Sequence, residues 1–451
     1  MNASASRLFR AVLLAAPFLL PHAARADPAL PCSTDIQPLD WQTRSDAARP
    51  QAELDVVALR GRRIWVVALV NNEGAQNVRT ALELAFDLKP GGPPRVNQVH
   101  ELFAAPGTVS RVLLSAWIDA DVERIMVRPL SGPVSGIGLA WRCSKEVEVP
   151  AAPSKQQGLL DEAIALYFDN TAQAVADPAS MRALAQRFAT GAEFPDDAFA
   201  AVRSMLWYAG DHHSYIVPPA SRGAFYASMA PTPPAVSLRG DGVAVVALSQ
   251  AGFDNDEDRR VYARSLHAAV SRVAAQHPRG WIVDLRGFGG GDMWPVLAGL
   301  SALVDGPLVG EFVGRHDRDP WLVAAGRAGT ARAPESTSIG ARDAASIAAP
   351  IAVLIGPGTA SSGEATAIAF ERRPRTRFFG QPTLGFYDSG IQQHYLSDGT
   401  LFGIVESHYA DRSGHVYDGP IVPDTVVAAP DDAVRVAAAW LLDEAGRPRA
   451  R

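Results

Sequence analysis

The fold is decided by the stretch from Ile351 to Arg373, which reads IAVLIG-PGTASSGE-ATAIAFERR. Its apolar beginning predicts a buried strand that runs through a turn of small residues into a helix. The turn places Ser361 and Ser362 at the helix start, where free backbone N–H groups and the helix dipole stabilise a developing negative charge. This geometry suits a serine nucleophile. The alternative is that one of the serines only caps the helix, with Glu364 nearby, and has no catalytic role.

A second turn, DLRGFGGG from Asp284 to Gly291, follows a short apolar strand that begins at Trp281. Its glycines allow a close backbone approach and can direct N–H groups towards a negatively charged group. Their spacing is not the G-x-G-x-x-G of a dinucleotide-binding fold, and the turn lacks the lysine of a Walker loop. A tight turn with no binding role is the alternative.

The bases available to a hydrolase are limited, because no lysine occurs after Lys155. Arginine cannot replace it, since arginine stays protonated in proteins. His213 lies just beyond a predicted helix that ends at Gly210, and an imidazole can act as a general base near neutral pH. A surface histidine without a catalytic role fits this position as well. Near the His212-His213 pair no further His or Cys stands at metal-ligand spacing, so we predict neither a metal site nor a cofactor.

Beyond its N-terminus the chain divides into three predicted parts. Residues 27–148 contain short runs rich in Val, Leu and Ile between turn residues, which predicts a β-sandwich. Residues 149–235 begin as a proline-containing linker and continue with helical periodicity, so we expect a helical subdomain that carries His213. Residues 236–451 alternate apolar strands with helical stretches, which predicts an α/β domain with a largely parallel sheet.

Residues 1–26 are typical of a secretory signal peptide. Arg7 and Arg10 precede an apolar stretch, and the small residues Ala24 and Ala26 stand where a signal peptidase reads the chain. No later segment is long enough without charges to span a bilayer. We therefore expect an exported protein, periplasmic or secreted.

The chain has two cysteines, Cys32 and Cys143. In an oxidising compartment such a pair predicts a disulfide more readily than two free thiols. It would join the first and last segments of the predicted sandwich, and it leaves no thiol for catalysis.

The composition is that of a globular protein, with 451 residues, 47% apolar and 20% charged, and a formal net charge of −6. It excludes a disordered chain and a coiled coil. The arginines are scattered and form no basic run, so a nucleic-acid partner is not expected.

Taken in order, these segments resemble the core of the tail-specific, or C-terminal processing, serine peptidases and their tricorn-core relatives. The motifs that carry the resemblance are DHHSY at Asp211–Tyr215, DLRGFGGG at Asp284–Gly291, GTASSGE at Gly358–Glu364, FFGQPTLG at Phe378–Gly385, LSDGT at Leu396–Thr400 and IVPD at Ile421–Asp424. The resemblance covers residues 156–430. It implies a crotonase-like α/β core and hydrolysis of peptide bonds by a serine nucleophile.

The resemblance also implies roles for individual residues. Ser361 corresponds to the nucleophile. Ser362 would supply one backbone N–H group of the oxyanion hole, and Gly289 or Gly290 would supply the other.

The general base that the resemblance implies follows from one position at which this sequence departs from the family pattern. In the tail-specific branch the base is a lysine after the P-T-x-G element, and here that position is Phe386. Relatives without this lysine use the histidine of the first motif, which corresponds to His213. The partners that would orient the imidazole stay open, with Ser214 as the hydroxyl and either Asp418 or Glu406 as the acid.

Two further departures bear on function. Phe288 stands where the family usually has Asn, and residues 216–242 are too few for the PDZ domain of the tail-specific branch. We predict an exported serine peptidase that acts on a peptide or protein substrate. The competing prediction, favoured by Phe288, is a catalytically silent peptide- or ligand-binding protein on the same core. An esterase is a third and weaker prediction, because the G-x-S-x-G motif is absent.

Overall fold

The computed structural model describes most of the chain beyond its N-terminal segment. The described residues are 37–38, 52–72, 78–88, 95–104, 108–118, 121–129, 136–143, 156–175, 177–189, 192, 195–253, 255–340, 346–386 and 390–446. The predicted signal peptide and Cys32 lie outside these ranges, so the export signal and the Cys32–Cys143 disulfide stay predictions. Within the described residues, no helix combines the length and apolar character needed to cross a membrane.

The N-terminal part consists of two antiparallel four-stranded sheets with the orders β1-β8-β3-β6 and β2-β7-β4-β5. The strands are β1 (Gln37–Pro38), β2 (Ala52–Asp55), β3 (Arg63–Asn72), β4 (Val78–Leu88), β5 (Arg95–Ala104), β6 (Thr108–Trp117), β7 (Val122–Pro129) and β8 (Gly136–Cys143). Every second residue of β3, such as Ile64 and Val66, is buried in one apolar core with Leu84 and Phe86 of β4. This period of two is what a strand with one face on an apolar core requires. At the start of β3 the opposite face is buried as well, through Arg63 and Trp65.

Three helices follow, α1 (Gln157–Asn170), α2 (Pro178–Phe188) and α3 (Pro195–Tyr208). A buried carboxylate on α3 joins this helical layer to the sandwich. Asp197 accepts hydrogen bonds from the Trp65 indole (2.8 Å) and the Ser115 hydroxyl (2.7 Å) and pairs with Arg63 (3.1 Å). Removal of one partner from such a pair would leave a buried charge uncompensated.

The remaining elements form the α/β domain. They are β9 (Tyr215–Val217), α4 (Arg222–Ser228), β10 (Ala235–Leu238), β11 (Val243–Ala247), α5 (Asp256–Ala274), β12 (Gly280–Asp284), α6 (Met293–Gly299), β13 (Leu308–Gly314), β14 (Arg318–Ala324), β15 (Arg327–Thr330), β16 (Thr337–Ser338), β17 (Ile351–Ile355), α7 (Ser362–Phe370), β18 (Thr376–Gly380), β19 (Gly390–Tyr395), β20 (Leu401–Asp411), β21 (Thr425–Val426) and α8 (Ala433–Ala445).

Two sheets organise this domain. The first has the order β10-β11-β12-β17-β18-β21, and its strands are parallel from β11 onwards. Trp281 and Val283 of β12 face a core shared with α5, α6 and α7, whereas Ile282 faces a core shared with α8. Because both faces are covered, the central strands are apolar throughout. The predicted fold class, a crotonase-like α/β core preceded by helices and a β-sandwich, is confirmed.

The second sheet is antiparallel and has the order β16-β15-β14-β13-β20-β19, with β9 also paired to β20. Phe402 and Ile404 of β20 pack into the core of the helical layer, together with Tyr167 of α1 and Phe199 of α3. The strand β20 therefore connects the helical layer to the α/β domain and fixes the loop that precedes β9.

Candidate active site

Ser361 lies at the junction of β17 and α7, in the strand, turn and helix that the sequence predicts. Its backbone has φ +52° and ψ −119°, a conformation that a residue with a side chain rarely adopts. Such strain costs on the order of 1–3 kcal/mol and concentrates at functional sites. The Ser361 N–H group donates to Oε2 of Glu364 at 3.0 Å, so Glu364 holds the turn as in a capping box.

The glycine turn after β12 packs directly on this serine turn. The Ala360 N–H donates to the carbonyl of Phe288 at 3.1 Å, and the Ser362 hydroxyl donates to the carbonyl of Gly291 at 2.6 Å. A Cβ atom at Gly290 would lie 3.1 Å from the Cβ of Ser361, and Gly290 has φ +137°. Only glycine therefore fits at this position.

Three backbone N–H groups at this junction are available to a ligand. Within the described part of the chain, those of Gly289, Gly290 and Ser362 have no hydrogen-bond acceptor, whereas the Gly290 carbonyl accepts from Ala251 at 3.1 Å. Phe288 does not reach the site, because its side chain is fully buried in the apolar core. The substitution of Asn by Phe thus leaves the backbone donors in place.

The loop that carries His213 is built around Asp211, which is buried. The Asp211 carboxylate accepts hydrogen bonds from the N–H groups of His213 (3.1 Å) and Ser214 (2.8 Å) and from the Ser214 hydroxyl (2.6 Å). The Ser214 hydroxyl in turn accepts from the Val405 N–H of β20 at 2.9 Å. An aspartate that binds the backbone two residues ahead forms an Asx turn. Asp211 was not among the predicted site residues, although the spacing D-x-H-S is typical of such a turn.

His213 meets the serine turn through Phe386. The imidazole and phenyl rings are stacked, with centroids 4.0 Å apart and planes within 10° of each other. Phe386 is the residue that the family resemblance aligns with a catalytic lysine. The structure therefore places a histidine ring against the position from which the lysine is missing.

Glu364 connects Phe386 to the nucleophile turn. Its Oε1 accepts from the Thr383 hydroxyl at 2.5 Å and from the Gly385 N–H at 2.9 Å, while Oε2 accepts from Ser361. The carboxyl is fully buried, and burial raises its pKa to about 7 although these hydrogen bonds act in the opposite direction. Sequence reasoning missed this link, because it joins two segments through a side chain that also reads as a simple helix cap.

The remaining predicted partners of His213 are Glu406, Asp418 and Ser214. Glu406 pairs with His394, with 2.6 Å between Oε1 and Nε2. Asp418 is exposed, and within the described residues its carboxylate has no hydrogen-bond partner. Ser214 holds the loop backbone, as described above. The role of an orienting acid therefore stays a prediction for both carboxylates. No cluster of three or more His, Cys, Asp or Glu side chains suited to a metal ion occurs among the described residues.

Comparison with known proteins shows which protein family residues 242–427 resemble. Residues 242–427 match the family model described as Peptidase family S41, which confirms the resemblance to the C-terminal processing peptidases. The matched part of the chain, which contains both the glycine turn and the serine turn, is similar to S41 peptidase domains.

Particular relatives extend the comparison. A nisin-resistance protein from Lactococcus lactis subsp. lactis is 36% identical over 172 residues, which are 38% of this chain and 52% of that protein. The chain thus matches about half the length of this curated relative.

The chain also matches two solved structures. A lipoprotein from Streptococcus agalactiae has a TM-score of 0.55 at 17% identity, over 66% of this chain and all of its own length (100%). The photosystem II D1 C-terminal processing protease has a TM-score of 0.44 at 15% identity, over 63% of this chain and 97% of its own.

Proposed function

We propose that this chain is a serine peptidase in which Ser361 is the nucleophile and His213 is the base. The observation that carries the proposal is the strained Ser361 backbone beside the unoccupied N–H groups of Gly290 and Ser362. A serine that only capped a helix would need neither the strain nor the glycine contact. The stacking of His213 on Phe386 supports the choice of base.

The reaction follows from these positions. Ser361 Oγ attacks the carbonyl carbon of the peptide bond while His213 accepts its proton, and the resulting oxyanion binds the N–H groups of Ser362 and of Gly289 or Gly290. His213 then protonates the leaving amine, and water releases the acyl group by the same route. The described residues contain no hydrogen bond between Ser361 and His213. Catalytic hydrogen bonds of this kind often form fully only with substrate bound.

A fluorophosphonate probe tests the nucleophile. We expect the wild type to be labelled and to hydrolyse peptides, and Ser361→Ala to lose both properties with an unchanged unfolding midpoint. Ser362→Ala is the matched control. It should keep the label and lose less activity, because the backbone N–H remains. Hydrolysis by Ser361→Ala at the wild-type rate would refute the assignment.

The substrate is proposed to be a peptide or protein. Since one relative is a nisin-resistance protein, nisin belongs among the first peptides to test, next to an unstructured protein substrate. A wild type that binds such peptides but neither cleaves them nor reacts with the probe would favour the catalytically silent binding protein.

We also propose that the chain is exported and that Cys32 and Cys143 form a disulfide. In support, Gln37 of β1 pairs with Trp141, two residues before Cys143 on β8. Closing a loop of this size stabilises by about 4.7 kcal/mol in the chain-entropy model. Mass spectrometry of the non-reduced exported protein should find the linked peptides, and alkylation of both cysteines without reduction would contradict the pairing.

A further inference from the structure

We infer that Phe386 is a positioning residue that fixes the plane of the His213 imidazole relative to Ser361. This inference rests on the proposed function. It starts from the stack itself, in which the ring planes differ by 10° at a centroid distance of 4.0 Å. Phe386 is 7% exposed, whereas His213 is half-buried. The phenyl ring is thus the fixed surface, and the imidazole is the group that lies on it.

The hydrogen bonds of the His213 loop hold its backbone, and the stack on Phe386 adds a contact to the ring itself. Asp211 binds the N–H groups of His213 and Ser214, and the Ser214 hydroxyl binds β20. A flat contact with an aromatic ring restricts the tilt of the imidazole, because parallel rings lose contact as soon as one of them rotates out of plane.

The phenyl ring is itself tied to the nucleophile. The N–H groups of Gly385 and Phe386 both hydrogen-bond to the Glu364 carboxylate, which also holds the Ser361 N–H. One residue earlier, the Leu384 N–H donates to the Thr359 carbonyl at 3.0 Å, in the same serine turn. The surface under the imidazole and the turn under the nucleophile are therefore parts of one hydrogen-bonded unit.

The direction of the contact suits proton transfer. The lone pair and the N–H bond of an imidazole lie in the ring plane, so a contact on its face does not block either nitrogen. One nitrogen can accept the proton of Ser361 while the other keeps a hydrogen-bond partner. A buried ring at Phe386 thus orients the base without competing for either nitrogen.

Substitution at Phe386 tests this role. Phe386→Leu keeps an apolar side chain but removes the flat ring. We expect kcat for peptide hydrolysis to fall about 10- to 100-fold with KM within about twofold, as for a misplaced catalytic group. Phe386→Tyr keeps the ring and should retain near wild-type kcat. The matched control is Phe379→Leu, which removes a buried ring that packs on Trp440 at the α8 side of the sheet, and it should leave kcat near the wild-type value.

A spectroscopic measurement covers the case in which Phe386→Leu fails to fold. In the wild type, the ring current of Phe386 should shift the His213 ring protons upfield in NMR spectra assigned with His213→Ala. Phe386→Tyr should keep the shift. Wild-type kcat in folded Phe386→Leu, or unshifted His213 protons in the wild type, would overturn the inference. A wild type that shows the shift but neither cleaves peptides nor reacts with the probe would instead overturn the proposed function.

Discussion

The turn that carries Ser361 and the loop that carries His213 are held in place by different kinds of contact. The serine turn lies between a central parallel strand and a fully buried helix, and it packs on the glycine turn through backbone atoms. The histidine loop lies between the helical layer and β20, and side chains hold it, namely Asp211, Ser214 and Phe386.

This difference predicts how each part responds to substitution. The serine turn is defined by backbone geometry, so changes there should act through steric fit and the loss of N–H donors. The histidine loop is defined by a few side chains from separate segments, so each of them should contribute a graded share of the alignment.

The largest effect is expected at the base. His213→Ala should lower kcat/KM by about 10³-fold or more, because residues that act as a catalytic unit lose most of their effect together. His212→Ala is the matched control. The His212 side chain is exposed, so this substitution should lower kcat/KM only mildly. Steady-state hydrolysis with both variants makes the comparison. Full activity in His213→Ala, with loss in His394→Ala, His408→Ala or His415→Ala, would move the base to the C-terminal strands.

The next effect is expected in the glycine turn. Gly290→Ala would place a Cβ atom 3.1 Å from the Cβ of Ser361 at φ +137°, so we expect about a 10²- to 10³-fold loss of kcat, as for a lost oxyanion donor. Gly287→Ala is the control in the same turn, because its nearest contact is an ordinary 3.7 Å. Equal activity of the two variants would show that the turn does not take part in catalysis.

The serine turn could be predicted from the sequence because it is defined by features that are local in the chain. A buried strand, small residues and a helix start are local features, so the segment around Ser361 and the glycine turn after β12 could be predicted from consecutive residues. The two-layered sandwich and the α/β core follow from the same local periodicities.

The histidine loop could be predicted only in part. His213 was identified from its motif, but its surroundings depend on contacts between residues far apart in the chain. The pairing of Glu406 with His394 and the stacking on Phe386 leave no trace in local spacing. The sequence shows that Phe386 stands where the family has its catalytic lysine. Only the folded chain shows that the His213 ring lies against that position.

A moderate effect is expected from the Asx turn. Asp211→Ala would leave the partly buried N–H groups of His213 and Ser214 without their acceptor, which costs up to about 1–3 kcal/mol of unfolding free energy. Because the loop also loses its alignment, kcat should fall by about tenfold or more. Asp398→Ala removes a similar pair of hydrogen bonds, to the Thr400 N–H and hydroxyl, and should change stability alone. Denaturant unfolding measures the stability of both variants, and steady-state kinetics measures their kcat. Unchanged kcat in Asp211→Ala would mean that the Asx turn does not align the base.

The smallest effect on activity is expected from a pH dependence that separates the two ends of α7. Burial raises the pKa of Glu364 to about 7, and burial together with the charge of Asp424 raises the pKa of Glu371 to about 7. A carboxyl whose pKa is raised on folding stabilises the folded state fully below its unfolded pKa, near 4.5. This contribution is lost as the pH rises to about 7. For Glu364 the loss is on the order of 3 kcal/mol, and for the partly exposed Glu371 it is smaller.

Both Glu364→Gln and Glu371→Gln should therefore flatten the stability curve between pH 4.5 and 7, measured by urea unfolding. Only Glu364 binds the turn of Ser361 and the segment that carries Phe386. An imidazole base predicts activity that rises with pH between about 6 and 7.5, and ionisation of Glu364 in the same range should steepen that rise. We expect Glu364→Gln, but not Glu371→Gln, to reduce the slope of log kcat/KM against pH towards one. The same slope in all three proteins would mean that the carboxyl between nucleophile and base only stabilises the fold.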